Sequence, residues 1–262
     1  NADLGTSYRL QDVFERPSIA ALLANASNAS FPECLMRFEQ PDETLPNVFF
    51  MPPAFGSASV FSGLAGTLKG ALNCYGLHYD PMMDASQRPS TLMEMVNECV
   101  AAIRVVNGRA PALLSGYSMG VIVAFEVAKA LEADGIETKL LLLDREACGH
   151  PAKKLPILSG PEQAAAEIAL EHSGLANIPA IRTAYLAAYA HNLLLLAGFE
   201  LSGQVTGSVG VFESRKTLPA TEMQNWRSFC TGAFSHAYLE GDHYAVLNPE
   251  NLRFIKPFFH SQ

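Results

Sequence analysis

The chain has 262 residues, 49% apolar and 17% charged, with a formal net charge of −8. That length accommodates one large domain or two small ones, and a single α/β domain of this size buries roughly three quarters of its unfolded surface without a disulfide or metal staple. The composition excludes wholesale disorder, and the acidic balance lacks the basic footprint of a nucleic-acid-binding module.

Residues 1–30 stand apart from the rest of the chain, and Pro32, Pro41 and Pro46 mark a linker over 31–46. Beyond it, strands alternate with helices. Val48–Met51 is a short apolar run between Pro46 and Pro52-Pro53, and Leu72–Tyr79 is a second strand. The next element is a helix over Thr91–Val106, with Ser90 offered as its cap after Pro89. The strand Ala112–Ser115 leads into a helix over Met119–Ala133, and Lys139–Leu143 is the next strand. Pro161–His172 and Pro179–Ala197 read as helices that open on proline. The strands Ser208–Phe212 and His236–Leu239 and a helix over Asn248–Phe259 complete the order. Such alternation with continuous apolar strands predicts an α/β fold, a mostly parallel sheet covered on both faces. The stretch from about 146 to 206 holds two helices and no strand, which reads as a lid inserted over a site.

A mean hydropathy of +0.12 calls for a check on membrane spans. Thr183–Phe199 is uncharged for seventeen residues and contains His191 and Asn192, short of the roughly 20 apolar residues a span needs. It reads as a buried or cavity-lining helix, and no membrane association is expected. No signal-peptide pattern is visible. The five cysteines are odd in number and none is spaced C-x-x-C, which favours reduced thiols in a cytoplasmic protein. No bound metal or cofactor is expected.

The sharpest motif is Gly116-Tyr117-Ser118-Met119-Gly120. It lies between an apolar strand and a helix, the setting of a nucleophile elbow. The turn is too tight for side chains two positions either side of Ser118, so Gly116 and Gly120 are required. It lifts the Ser118 hydroxyl above the sheet and aims the free N–H groups of a helix N-terminus at developing negative charge. A serine needs a base, and an α/β-hydrolase runs in the order serine, acid, histidine. Among seven histidines, His243 fits, in a turn with Gly241 and Asp242 after the last strand. His236 would be structural and His191 a satisfied helix histidine. Asp144 ends its strand where α/β ligand sites form. Glu213, at the end of the next strand, and Glu146 are its rivals. For an oxyanion hole, Met119 supplies the N–H after the nucleophile. Pro52 and Pro53 have no N–H, so Ala54 is the first donor available in the loop after the first apolar strand.

These residues resemble the chain-releasing thioesterase domains of polyketide synthases and nonribosomal peptide synthetases. The likeness runs from about residue 45 to the end and rests on four segments: Gly116–Gly120, Ala124-Phe-Glu126, Leu141-Leu-Leu-Asp144, and Gly241-Asp-His243 with Leu247-Asn-Pro249. The resemblance implies an α/β-hydrolase fold and favours Asp144 over Glu213. It further implies transfer of an acyl or peptidyl chain from a carrier-bound phosphopantetheine onto Ser118, then release by hydrolysis or macrocyclisation. The sequence departs from the family at Val121, at Arg145-Glu146 and in the loop Pro52–Gly56, changes that bear on pocket shape more than on mechanism. Tyr8–Leu23 resembles the last helix of a carrier domain, so residues 1–30 are expected to be a carrier remnant, 31–46 a linker and 47–262 the thioesterase domain. An upstream carrier domain is the implied partner, and a monomeric domain is expected.

Leu186, Tyr189, Leu193 and Leu196 fall on one helical face. With Phe55, Tyr117 and Tyr244 they are candidates for lining a substrate channel, against plain core packing for the helix. Rival functions are a free-standing editing thioesterase, a generic esterase and a catalytically silent module that docks a carrier. The carrier-like N-terminus argues against the first two, and the complete Ser118, Asp144 and His243 set against the third.

Overall fold

The structure is a computed structural model and describes residues 31–79, 84–145, 147, 167, 170–171, 179–197, 199–216 and 223–260. The carrier-like segment, Glu146, and the helix expected over Pro161–His172, but for three positions, lie outside these residues.

Seven strands form one sheet: β1 (Leu35–Arg37), β2 (Asn47–Met51), β3 (Asn73–Leu77), β4 (Ala112–Tyr117), β5 (Thr138–Leu143), β6 (Ser208–Ser214) and β7 (Phe234–Leu239). Their order is β1-β3-β2-β4-β5-β6-β7. All neighbours are parallel except β1, which runs antiparallel to β3. The central strands are apolar throughout because a parallel sheet is covered on both faces. Val48, Phe50, Leu141 and Leu143 pack on one side with Leu64 and Leu68 of α1 (Ser62–Leu68) and Leu252 and Ile255 of α5 (Pro249–His260). Phe49, Met51, Leu140 and Leu142 pack on the other with Val96 and Cys99 of α2 (Leu92–Asn107) and Val121 and Phe125 of α3 (Gly120–Ala133). The last described helix, α4 (Pro179–Leu196), adds Leu193, Leu195 and Leu196 to this second core.

Three local features differ from expectation. The segment expected as a linker contributes the edge strand β1, whose Leu35 and Met36 are buried. A three-residue strand is too short to display alternation. The cap of α2 is Thr91, whose hydroxyl accepts from Glu94 N–H at 3.0 Å. Ser90 instead donates its N–H and its hydroxyl to the Glu94 carboxylate, at 2.7 and 2.6 Å. Finally, α1 lies in a stretch with no sequence signal, because two of its seven residues are glycine.

The chain leaves β2 for β3 on one side and returns to β4 on the other. Strand order therefore reverses between β2 and β4, and the crevice at the carboxyl ends of such strands is where open α/β sheets bind ligands.

Candidate functional site

Two backbone turns at that crevice carry the chemistry-bearing residues. β4 ends at Tyr117, and Ser118 comes next with φ 56°. A left-handed non-glycine residue costs about 1–2 kcal/mol, and the turn holds it. Ser118 N–H donates to Leu143 O at 3.1 Å, and Ser118 O accepts from Val121 N–H at 3.1 Å. The flanking glycines are required by contact. A Cβ on Gly116 would lie 2.1 Å from Gly120 O, and one on Gly120 would lie 2.6 Å from Met51 O. Met119 is buried at the N-cap position of α3 and provides no side-chain cap. At this partially positive end, Val121 N–H and Ile122 N–H bond back to Ser118 O and Met119 O at 3.1 and 3.0 Å, which leaves the N–H groups of Met119 and Gly120.

Asp144 comes directly after β5 and also has φ 56°. Its carboxylate, 2% exposed, is held by three donors. Ser214 N–H reaches Oδ1 at 2.7 Å, Ser214 Oγ reaches Oδ2 at 3.3 Å, and His243 Nδ1 reaches Oδ2 at 2.7 Å. With Nδ1–H directed at the carboxylate, the neutral imidazole presents Nε2 as its acceptor. His243 opens a short turn over His243–Ala245, capped by Asp242, whose carboxylate accepts from Tyr244 N–H and Ala245 N–H.

The rival acid makes a different pair. Glu213 is 1% exposed, and its Oε1 lies 3.0 Å from Nε2 of His236 on β7. Burial, with the Asp144 charge beside it, pushes Glu213 up to about 7. Burial lowers His236 below the usual imidazole range. Both shifts favour a neutral acid beside a neutral imidazole. His243 is thus joined to Asp144, whereas His236 lies beside Glu213.

The loop after β2 turns at Pro53–Gly56, where Gly56 N–H donates to Pro53 O at 2.8 Å. Ala54 is buried in this turn, and its carbonyl accepts from Asn192 Nδ2 at 2.7 Å. Phe55 packs against Tyr185 and Tyr189 of α4, with ring centroids 5.9 and 4.9 Å apart. His191 is satisfied by Pro89 O at 2.8 Å, as expected.

The packing of two groups of channel candidates is as follows. The buried residues of α4 are Tyr185, Ala188, Asn192, Leu193, Leu195 and Leu196, so of the face drawn through Leu186, Tyr189, Leu193 and Leu196 the last two are buried. Leu193 and Leu196 pack into the core, whereas Leu194 is 46% exposed, so the helix is not apolar and enclosed all round. Tyr117 is committed to His243. Its ring stacks on the imidazole, and its hydroxyl donates to His243 O at 2.8 Å. Phe55 and Tyr189 lie beside each other on the loop and helix, and the Tyr244 ring lies 5.5 Å from that of His243. Asn192 and Ser214 escaped sequence reasoning. The first is the polar interruption in an apolar run, a signal that was available. The second acts in part through its backbone, which no side-chain pattern reveals.

Among the described residues, no helix is long and apolar enough to cross a membrane. Nor do three or more His, Cys, Asp or Glu side chains gather there as a metal would require.

The chain is similar to parts of much longer proteins. Malpinin synthetase of Mortierella alpina is 32% identical over 146 residues, which cover 54% of this chain and 2% of that protein. The dimodular nonribosomal peptide synthase of Bacillus subtilis (strain 168) is 30% identical over 171 residues, 64% of this chain and 7% of its own length. The chain thus spans only a few per cent of these relatives. Among solved structures, the thioesterase domain SrfTE, described for cyclization of the lipopeptide antibiotic surfactin, aligns with a TM-score of 0.70 at 16% identity, covering 90% of this chain and 99% of that one. The type II thioesterase BorB from the borrelidin biosynthetic cluster aligns with a TM-score of 0.72 at 20% identity, covering 86% and 96%. At these identities the likeness is one of fold, the α/β-hydrolase arrangement. The family model for the thioesterase domain matches residues 46–260. Since that match runs from the threshold of β2 to the end of α5, the chain belongs to the thioesterase domain family.

Proposed function

We propose that this domain releases an acyl or peptidyl chain from the phosphopantetheine thioester of a carrier domain, by way of an ester on Ser118. The observation that carries the reading is the Asp144–His243 hydrogen bond of 2.7 Å, on the sheet edge that also bears the left-handed Ser118. His243 Nε2 takes the hydroxyl proton as Ser118 Oγ attacks the thioester carbonyl. Asp144 holds the imidazole in the required tautomer and stabilises it once charged. Negative charge forms on the carbonyl oxygen, and the N–H groups of Met119 and Ala54 receive it. Removing one such donor typically costs about 3–4 kcal/mol of transition-state stabilisation. Collapse breaks the C–S bond, and His243 returns its proton to the departing thiol. In the second half, His243 deprotonates water, or a hydroxyl or amine of the bound chain. That nucleophile attacks the ester, and the proton passes to Ser118 as an acid, macrolactone or macrolactam leaves.

Support for a carrier-presented substrate comes from the synthetase relatives and from the carrier-like Tyr8–Leu23. The test is labelling with a fluorophosphonate probe, alongside turnover of acyl thioester and oxygen-ester surrogates. The expected result is one label on Ser118, lost in Ser118→Ala, with thioester cleavage lost in parallel. No labelling, or cleavage of oxygen esters alone, overturns the reading.

A further inference from the structure

Asn192 is 4% exposed and sits on the apolar inner face of α4. A primary amide in such a place costs stability unless its hydrogen bonds are made. Its nitrogen donates to Ala54 O at 2.7 Å, across 138 positions of sequence. The acceptor matters because of where it lies. Peptide groups are planar, so fixing a carbonyl also fixes its plane. The Pro53–Ala54 plane is held by Gly56 N–H on Pro53 O at 2.8 Å. The Ala54–Phe55 plane is held by Asn192. Both planes that meet at the Ala54 Cα are therefore tied, the one that carries the Ala54 N–H by Gly56 and its neighbour by Asn192.

We infer that Asn192 is a positioning residue that fixes the Pro53–Gly56 turn bearing the Ala54 N–H, so that the packing of α4 supports the oxyanion hole. This inference rests on the proposed acyl-transfer function. Preorganised donors stabilise a transition state because no reorientation is needed when charge appears. Without the amide, the Ala54–Phe55 plane, the middle peptide of the turn, loses its tie, and the turn that carries the donor can shift off the site. A second tether separates this effect from simple anchorage. His191, the preceding residue, binds the same helix to Pro89 O at 2.8 Å, in the segment leading into α2 and outside the Pro53–Gly56 turn.

The experiment compares the parent with Asn192→Ala, Asn192→Asp and His191→Ala. It measures thermal midpoint, kcat and KM on a hexanoyl N-acetylcysteamine thioester, and inhibition by hexylboronic acid, whose tetrahedral adduct places an oxygen where the oxyanion forms. Both Asn192 variants are expected to lose about ten- to a hundredfold in kcat, with KM within twofold, and the same factor in boronate affinity. His191→Ala is expected to lower the thermal midpoint and leave kcat and boronate affinity within threefold. The inference is overturned if Asn192→Ala loses thermal stability alone, or if His191→Ala reproduces its kinetic loss. If the parent itself neither takes a fluorophosphonate label nor turns over the thioester, the functional reading falls, and this inference with it.

Discussion

Tyr117 donates its hydroxyl to the backbone oxygen of His243 at 2.8 Å, and its ring lies stacked on the imidazole, 4.8 Å between centroids and 26° between planes. The residue before the proposed nucleophile thus supports the loop of the proposed base. The two arms of the site, 126 positions apart, are joined by a bond that takes no part in proton transfer. Tyr117→Phe keeps the stack and removes the bond, worth about 1 kcal/mol. A fall in thermal midpoint of about 2–4 °C is expected, together with a severalfold drop in kcat and unchanged labelling stoichiometry. Tyr117→Ala loses the stack as well and falls further in both. Parental kcat and midpoint in Tyr117→Phe would show that the bond does nothing.

The two buried acids differ in partner, so their amides differ in effect. Asp144→Asn presents His243 with a neutral partner and permits the wrong tautomer. A loss of about 10⁴ in kcat is expected for thioester cleavage. Glu213→Gln leaves the Asp144–His243 pair intact, and its kcat stays within a few-fold of the parent. Steady-state kinetics at pH 8 decide the matter, and the reverse ranking would transfer the role to Glu213.

Glu213 also leaves a mark on stability. Its folded value is raised to about 7 from the ordinary 4.5, so the folded protein keeps a proton that the unfolded chain has released. The contribution is full below about pH 4.5 and is lost as pH rises toward 7, reaching up to about 3 kcal/mol. A glutamine stays neutral in both states. Relative to the parent, Glu213→Gln is therefore expected to gain unfolding free energy steadily from pH 4.5 to 7.5 in urea titrations. Parallel profiles would place the Glu213 proton elsewhere.

Two glycines separate steric need from mere tolerance. The Cβ of Gly120→Ala meets the backbone oxygen of Met51 at 2.6 Å, a contact that only a shift of β2 against β4 relieves. A cost of about 3 kcal/mol is expected, with loss of fluorophosphonate labelling. Gly66, inside α1, has nothing within 4 Å of its Cβ position. Gly66→Ala is expected to stabilise by about 0.5–1 kcal/mol. Denaturant midpoints of the two variants should move in opposite directions.

The parts of the fold that sequence displays are those with a repeated physical signature. β2, β4, β5 and β6 are read from apolar runs because both faces of the sheet are covered. Ser118 is read from two glycines that contact demands and His243 from chain order, while Asp144 stands out from Glu213 through the resemblance to the thioesterase family. Edge and insertion are harder. β1 is pinned by its ladder with β3 and by the burial of two side chains, not by any pattern of its own. The buried side of α4 takes in Leu193 and Leu196 but also Tyr185, Ala188, Asn192 and Leu195, because in a helix this apolar periodicity does not separate adjacent faces. Asn192 decides the face through a bond to a backbone atom far away in sequence, and Ser214 holds Asp144 partly through its N–H. Such bonds exist only once the chain is folded.

The register of β2 against β4 places Met51 opposite Gly116. Ala54 lies three positions beyond the first and Met119 three beyond the second. The two proposed donors therefore hang from equal extensions of the two ends of one rung, where neighbouring strands are about 4.8 Å apart. The gauge of the site is a lattice constant of the sheet. Loops can lengthen and the inserted helix can change its surface without altering that spacing. Chemistry and selectivity can then diverge at separate rates, one carried by the ladder with Asn192 and the other by the remaining surface of the insertion.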